Sequence, residues 1–338
     1  MAHGRRLAFS CFIFLLLGLA SLNTFAQDSV KIGLLRLASH SPSIIADGMG
    51  YFAKQGLKVE FVIFQAAQPM AVAIASGDVD FGVTAISASL LNLAKKDVIR
   101  IVGGALTESK NIEGQKILVS KNAFEAGVTS PSQLRGKTFG VTTAGSSFHY
   151  MAHKIADKEN FSRSDIRIKP LQKVPAVIAA LKSGQIDAWA IVPNIADSLI
   201  KSGNVVEIGR VSDYITDYQV TVIFTSKAIV SEKPDLVKRF LKAFDEGVLT
   251  YNAAFVTKSL SAQKTDAVVA MVHKYIYSDQ PIDKAGPRIK AGAMLISPQA
   301  RLNLSSVMDQ LDWFKEEGMV SKDLTIERIV DTRFVQTP

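Results

Sequence analysis

The sequence predicts an α/β protein with two βαβαβ lobes, joined by a hinge of two crossing strands. Three observations predict this architecture. The 338 residues suffice for about two domains with their own cores. Short apolar strands alternate with helical segments in both halves of the chain, which favours largely parallel sheets. The pentapeptide SGDVD recurs as SGQID at an offset of 107 residues, which also aligns Gly33 with Gly140 and Ser39 with Ser146.

The first copy of the repeat contains three predicted strands with two helices between them. The strands are expected at 30–35, 57–64 and 79–83. Ser41 places a capping hydroxyl before Pro42 at the first helical position, and Gly56 ends that helical region. A second helix is predicted over 68–75, where a proline again stands near the start.

The second copy repeats this order of elements. Its strands are expected at 138–141, 166–169 and 186–192, and its helices at 146–158 and 175–182. Two extended, β-branched segments, 116–120 and 218–225, flank the second copy. We expect these two segments to cross between the lobes and to form the hinge.

The chain after the second crossing is expected to return to the first lobe. Lobe 1 then comprises 27–116 and 222–338, and lobe 2 comprises 117–221. A serine and a proline near 231–234 predict the start of a helix, and the Ser-Pro pair at 297–298 predicts another.

The first 26 residues have the pattern of a cleaved secretory signal. Arg5 and Arg6 precede an apolar run over 7–20, and cleavage is expected after Ala26. The run is shorter than the about 20 residues that a spanning helix needs. The one cysteine, Cys11, lies inside the run, so the mature chain would have no thiol. We therefore expect a protein outside the cytoplasm, without cysteine nucleophiles, cysteine-bound metals or disulfides.

Composition and motifs exclude several classes of function. The net charge is +8, but no run of five or more Lys or Arg is present, so we expect no nucleic-acid partner. The chain has no nucleophile elbow, no phosphate-binding loop and no dinucleotide-binding glycine motif. His149 and His153 stand four residues apart, but no Glu follows the first as in zinc proteases. We predict no catalytic residue, no cofactor and no metal site.

Four segments resemble one family of transport proteins. They are GMGYFAKQGLKVE at 48–60, AIASGDVD at 73–80, LRGKTFGV at 134–141 and PDLVKRFLKAF at 234–244. These segments resemble bacterial substrate-binding proteins of ABC transporters, of the class for nitrate, sulfonates and taurine, which includes binders of thiamine-pyrimidine precursors. The resemblance covers nearly all of 28–338.

The resemblance implies a type II periplasmic-binding-protein fold. It also implies a periplasmic receptor, expected to be a monomer, that closes on a small-molecule solute and delivers it to an ABC transporter permease in the inner membrane. Because the family binds several kinds of solute, the resemblance does not identify the ligand.

The ligand of an open α/β sheet lies beyond the carboxyl ends of its strands. On lobe 1, the candidate ligand-binding residues in these loops are Arg36, Ser39, His40, Gln65, Gln68, Thr84 and Ser87. The helix starts in these loops direct backbone N–H groups towards the expected cleft, which favours an anion. The guanidinium of Arg36 can pair with an acidic group.

On lobe 2, the loop before the predicted helix at 146–158 combines hydroxyls with a glycine. The candidate residues on this lobe are Thr143, Gly145, Ser146, Ser147, His149, Asn194 and Tyr218. Small residues let the backbone approach a ligand closely, and the amide of Asn194 both donates and accepts hydrogen bonds. The sequence therefore predicts a small organic anion, a sulfonate or carboxylate, as ligand.

Other interpretations remain open. Phe148, Trp189, Tyr214 and Tyr218 could stack on a neutral heteroaromatic ligand, such as a thiamine-precursor pyrimidine. An enzyme on the same fold is a further alternative, although the fungal pyrimidine-forming relatives use a cysteine-rich motif that this mature chain lacks. The effector domain of a transcriptional regulator would carry no export signal.

Overall fold

The computed structural model describes residues 27–336, so the predicted signal at 1–26 lies outside the described residues. The strands are β1 (Asp28–Leu35), β2 (Leu57–Phe64), β3 (Phe81–Ala85), β4 (Ile99–Gly104), β5 (Lys116–Ser120), β6 (Thr138–Val141), β7 (Arg167–Pro170), β8 (Ala188–Ile191), β9 (Val205–Arg210) and β10 (Thr221–Ser226).

Helices surround these strands. They are α1 (Ser41–Gly48), α2 (Tyr51–Lys54), α3 (Ala67–Ser76), α4 (Ala88–Lys95), α5 (Lys121–Glu125), α6 (Ser147–Lys158), α7 (Val174–Lys182), α8 (Pro193–Lys201), α9 (Lys227–Glu232), α10 (Pro234–Tyr251), α11 (Ala262–His273), α12 (Ile282–Ala291), α13 (Leu304–Glu316) and α14 (Ile326–Ile329). Within residues 27–336, none of these helices combines the length and the hydropathy needed to cross a bilayer.

The strands form two five-stranded sheets with the same topology. Their orders are β2-β1-β3-β10-β4 and β7-β6-β8-β5-β9. In each sheet the first three strands are parallel, and the fourth is antiparallel to both of its neighbours. Each sheet is the centre of one lobe, which confirms the predicted fold class.

The offset of 107 residues corresponds to a repeated structural unit. In lobe 1, the Asp80 carboxylate accepts a hydrogen bond from the Lys31 backbone N–H at 2.7 Å. In lobe 2, Asp187 accepts one from the Thr138 N–H at the same distance. Each aspartate therefore joins, by a hydrogen bond, the turn before the third strand to the first strand of the same repeat.

Residues 116–120 and 221–225 of the two segments predicted to cross between the lobes lie inside the sheets, in β5 and β10. The crossing itself runs through the residues before these strands. There the Glu108 N–H donates to the Tyr218 carbonyl at 2.8 Å, and the Val220 N–H donates to the Leu106 carbonyl at 2.9 Å. The two segments that cross between the lobes, near 106–108 and 218–220, thus pair with each other. Because a buried central strand and a crossing strand have the same apolar pattern, the sequence does not distinguish them. We retain the lobe boundaries given above as a proposal.

Two predicted helix starts differ from the structure. The Ser41 hydroxyl donates to the Ala38 carbonyl at 2.6 Å, and His40 is the N-cap of α1. The Ser-Pro pair at 297–298 begins only a short 3₁₀ turn, because Gln299 has a φ of 59°. The long helix that follows, α13, begins after Asn303, whose side chain accepts from the Ser306 N–H at 3.1 Å.

Helix α10, which follows the second crossing, packs against the sheet of lobe 1. The ring of Phe240, on α10, stacks on that of Phe81, on β3, with 3.9 Å between ring centroids. Phe52 lies 5.5 Å from the same Phe240 ring. Burial of these rings fastens α10 to the first sheet and leaves the carboxyl ends of the strands facing lobe 2.

Candidate ligand-binding site

A cavity lies between the two lobes, whose rims are closed on each other, at the carboxyl ends of their strands, and we call it the closed cavity. The volume open to the centre of a water molecule is about 50 Å³, room for roughly four water molecules. Its polar lining residues are Ser39, His40, Thr84, Gln115, Thr142, Ser146, Ser147 and Thr221. The rest of the wall is apolar, and no Lys or Arg among residues 27–336 lines it. The cavity therefore suits a compact ligand or one end of a longer ligand.

Helix N-termini from both lobes border this cavity. His40 is the N-cap of α1, Ala66 of α3, Ser146 of α6 and Val192 of α8, and all four residues line the cavity. The first N–H groups of a helix lack partners in the helix, and the helix dipole is positive at this end. The arrangement stabilises negative charge although no cationic side chain lines the cavity.

Two serines related by the repeat line the cavity from opposite lobes. Ser39 and Ser146 are buried, and neither hydroxyl has a hydrogen-bond partner among the described residues. Ser146 is the N-cap of α6, but its side chain does not cap the helix. A buried hydroxyl without a partner is unfavourable, so a ligand that hydrogen-bonds to both serines would be stabilised.

His40 is a neutral donor in this environment. The side chain is 2% exposed, and its Nδ1 accepts a hydrogen bond from the Leu35 N–H at 3.3 Å. In the neutral ring the proton is therefore on Nε2. Burial lowers the pKa of His40 to about 4, so the ring carries no charge at neutral pH. His40 can donate one hydrogen bond but cannot neutralise an anion.

Gln115 is a lining residue that the sequence analysis missed. Its backbone N–H donates to Glu108 Oε1 at 3.0 Å, and its Nε2 donates to Glu108 Oε2 at 3.2 Å. Burial raises the pKa of the Glu108 carboxyl to about 7. Gln115 stands in the crossing segment, and nothing in its local sequence indicates a ligand contact.

The structure separates the predicted site residues into groups. Ser39, His40, Thr84, Ser146 and Ser147 line the closed cavity. Gln68, Ser87, Thr143 and Gly145 line a separate hollow of about 280 Å³. Arg36 and Gln65 line a larger groove of about 840 Å³. His149, Asn194 and Tyr218 line none of these three cavities.

His149 supports the loop beside the cavity. Its Nδ1 accepts a hydrogen bond from the Gly145 N–H at 3.2 Å, and its Nε2 lies 3.0 Å from His153 Nε2. Burial, with a smaller contribution from His153, lowers the pKa of His149 to about 3. No group of three metal-ligating side chains occurs in the part of the chain that the structure describes.

The other candidates are packed elsewhere. Asn194 donates through Nδ2 to the Tyr277 hydroxyl. Tyr218 is fully buried and packs against Tyr150, with 5.3 Å between ring centroids. Of the aromatic residues proposed to stack on a ligand, Phe148 alone lines the closed cavity.

The rims of the two lobes are in contact. The Ala88 N–H donates to the Gly145 carbonyl at 2.9 Å, and the Val174 N–H donates to the Gln65 carbonyl at 3.2 Å. Gly145 has a φ of +72°, and a Cβ added to it would lie 2.7 Å from the Ala88 Cβ. A glycine at this position therefore permits both the turn and the approach of the lobes.

Comparison with known families identifies the chain. The family described as NMT1/THI5 like matches residues 38–254, more than half of the sequence. The chain belongs to this family. The match begins at the rim of the closed cavity and extends through lobe 2 and the whole of α10, so both lobes of this NMT1/THI5-like protein contribute to it.

Named relatives are binding proteins. A putative aliphatic sulfonates-binding protein of Bacillus subtilis is 29% identical over 245 residues, 70% of each chain. The taurine-binding periplasmic protein of Escherichia coli is 24% identical over 323 residues, 92% of this chain and 95% of that one. The solved structure of the alkanesulfonate-binding protein of Xanthomonas axonopodis pv. citri, bound to MOPS, is 17% identical in sequence. The match covers 93% of this chain and 100% of that chain, and its TM-score of 0.69 shows the shared fold. These findings confirm the resemblance identified from the sequence.

Proposed function

We propose that this NMT1/THI5-like protein is an extracytoplasmic solute receptor of an ABC importer. It would bind a small organic anion, a sulfonate or carboxylate, in the closed interlobe cavity and deliver it to a permease. The names of the relatives support the receptor class. The predicted signal and the periplasmic relative support a periplasmic location, with cleavage after Ala26.

The proposal of an anionic ligand rests on the hydroxyls of Ser39 and Ser146, which have no hydrogen-bond partner among residues 27–336. They line one cavity from two lobes, beside the N-termini of α1 and α6. A sulfonate or carboxylate has enough acceptor oxygens to take hydrogen bonds from both serines and from the helix N–H groups. Because such a ligand contacts both lobes, its binding energy favours the closed state.

A neutral heteroaromatic ligand is the second candidate. Phe148 lines the cavity beside apolar walls, and no cationic side chain is present there. A pyrimidine could stack on Phe148 and take a hydrogen bond from the His40 Nε2. This ligand would depend less on the two serines than an anion would.

Isothermal titration calorimetry with small sulfonates, carboxylates, nitrate and pyrimidines would test the proposal. For an anionic ligand, we expect Ser39→Ala and Ser146→Ala each to weaken binding by about 10- to 150-fold, since a hydrogen bond to a charged group contributes about 1.5–3 kcal/mol. Ser43→Ala is the matched control, because this buried hydroxyl also lacks a partner but does not line the cavity.

Unchanged anion affinity in a variant that combines Ser39→Ala and Ser146→Ala would refute the assignment of the anion to this cavity. Tighter binding of pyrimidines than of any anion would favour the second candidate. Chromatography of the recovered ligand tests the enzyme alternative, because a receptor returns the compound unchanged.

A further inference from the structure

A second, larger cavity adjoins the closed one. This basic groove, of about 840 Å³, lies between β2 of lobe 1, helices α7 and α8 of lobe 2, and the segment before and within α12. Leu35, Leu37 and Val174 line both the basic groove and the closed cavity. The two spaces are therefore neighbouring compartments of one interlobe cleft.

The basic groove carries the cations that the closed cavity lacks. Arg36, Lys182 and Arg288 line it, together with one acidic residue, Asp279. Within residues 27–336, none of these three cations forms an ion pair, although ion pairs join many other charged residues of the protein. An excess of unpaired positive charge along a cleft raises the local concentration of anions.

Arg288 is held in place by groups from both lobes. Its Nη1 donates to Gln280 Oε1 at 2.7 Å, and its Nη2 donates to Ser198 Oγ, on α8, at 2.9 Å. The guanidinium lies 4.1 Å from the centroid of the Tyr277 ring. These contacts use two of its five N–H donors, and its Nε is buried without a partner in the described part of the chain. A half-buried guanidinium without a carboxylate is unfavourable until an anion approaches it.

The remaining wall of the basic groove is largely apolar. Ile63 and Phe64 line it from lobe 1, and Ile178, Ile195 and Leu199 line it from lobe 2. A hydrocarbon chain or ring between these side chains would bury apolar surface on both lobes. The volume open to the centre of a water molecule is only about 50 Å³ in the closed cavity but about 840 Å³ in the basic groove, so the groove offers the room for such a body.

We propose that the ligand is an organic dianion whose two acidic groups are joined by an apolar spacer. One acidic group occupies the closed cavity at Ser39 and Ser146, and the second lies in the basic groove near Arg36 and Arg288. This inference rests on the proposed function, because it places the first acidic group in the cavity described there.

Calorimetry with matched pairs of probes tests the second acidic group. The pairs are 4-sulfobenzoate with benzenesulfonate and suberate with octanoate. We expect the dianion of at least one pair to bind at least tenfold more tightly than its partner. In Arg36→Gln this ratio should fall to about threefold or less, and in Arg288→Gln to near one. Lys96→Gln, which removes an exposed charge outside the basic groove, should leave the ratio unchanged.

Arg288→Lys is the control for a folding defect, because it keeps the charge but loses the guanidinium geometry. Its affinity ratio of dianion to monoanion should lie between those of Arg288→Gln and the wild type. Equal affinity for both members of each pair, or an equal loss for both in the arginine variants, would overturn the inference and leave the proposed function intact. If no member of either pair binds, the inference is overturned; if the small anions tested above do not bind either, the proposed function fails as well.

Discussion

Closure of the two lobes is expected to depend on the absence of a side chain at residue 145. In Gly145→Ala, the new Cβ would lie 2.7 Å from the Ala88 Cβ and 3.0 Å from Met319 Sδ, both of which belong to the opposite lobe as we have drawn it. Carbon atoms in contact are about 3.5–4.0 Å apart, so the rims must separate by about 1 Å. The hydrogen bond from the Ala88 N–H to the carbonyl of residue 145, now 2.9 Å long, would then break.

The cost to ligand binding follows from these contacts. Loss of the interlobe hydrogen bond costs about 1 kcal/mol, and the steric overlap costs about 1–3 kcal/mol. Since 1.4 kcal/mol corresponds to a factor of ten, affinity should fall by about 30- to 700-fold. Calorimetry measures this loss, and small-angle X-ray scattering measures whether saturating ligand still reduces the radius of gyration.

Gly145→Ala also places an alanine in a left-handed backbone conformation, which lowers folding stability and therefore requires a control. Gly136 has a φ of +75°, and no heavy atom of residues 27–336 lies within 4 Å of a Cβ added there. Gly136→Ala and Gly145→Ala should each lose about 1–2 kcal/mol of folding stability in the absence of ligand. Gly136→Ala alone should keep wild-type affinity and ligand-induced compaction. If both variants bind and compact alike, the interlobe contact does not limit closure and the reasoning is refuted.

Two further predictions concern stability. Burial raises the folded-state pKa of Glu108 from 4.5 to about 7, so its neutral form stabilises the protein at low pH, and this contribution is lost as the pH rises through 7. Glu108→Gln should therefore stabilise the protein more at pH 8 than at pH 5, as thermal unfolding would measure. The difference between the two pH values should be on the order of 3 kcal/mol at most. An equal gain in unfolding free energy at both pH values would contradict a buried titrating carboxyl. Asp187→Ala removes the acceptor of the Thr138 N–H and should cost about 1–3 kcal/mol in urea unfolding, with a similar loss for the equivalent Asp80→Ala; a loss below about 0.5 kcal/mol would show that these hydrogen bonds contribute little.

Much of the fold could be predicted because its signals are local. The repeated Ser-Gly turns mark the same point in each copy, where Gly77 and Gly184 adopt φ values of +83° and +73°. The aspartate that follows each turn is then within reach of the first strand of its copy. The parallel pairing of the first three strands of each sheet follows from the alternation of strands and helices.

The rim residues could also be predicted in part. Ser39 and Ser146 follow the first strand of each copy, where an open sheet presents its ligand loops, and both line the closed cavity. Arg36 stands only three residues before Ser39, but its side chain lies in the basic groove. Sequence spacing places the backbone of a loop but does not determine which compartment a long side chain enters.

The composition of the site depends on contacts between distant segments. Arg288 is more than 200 residues from Arg36, and Gln115 lies in a crossing segment with no distinguishing pattern, so local sequence does not indicate that either lines the cleft. Local periodicity and turn chemistry sufficed to anticipate two duplicated sheets with facing loops. Which side chains meet between them follows from how the lobes pack, because separations across the cleft depend on the tertiary arrangement of the whole chain.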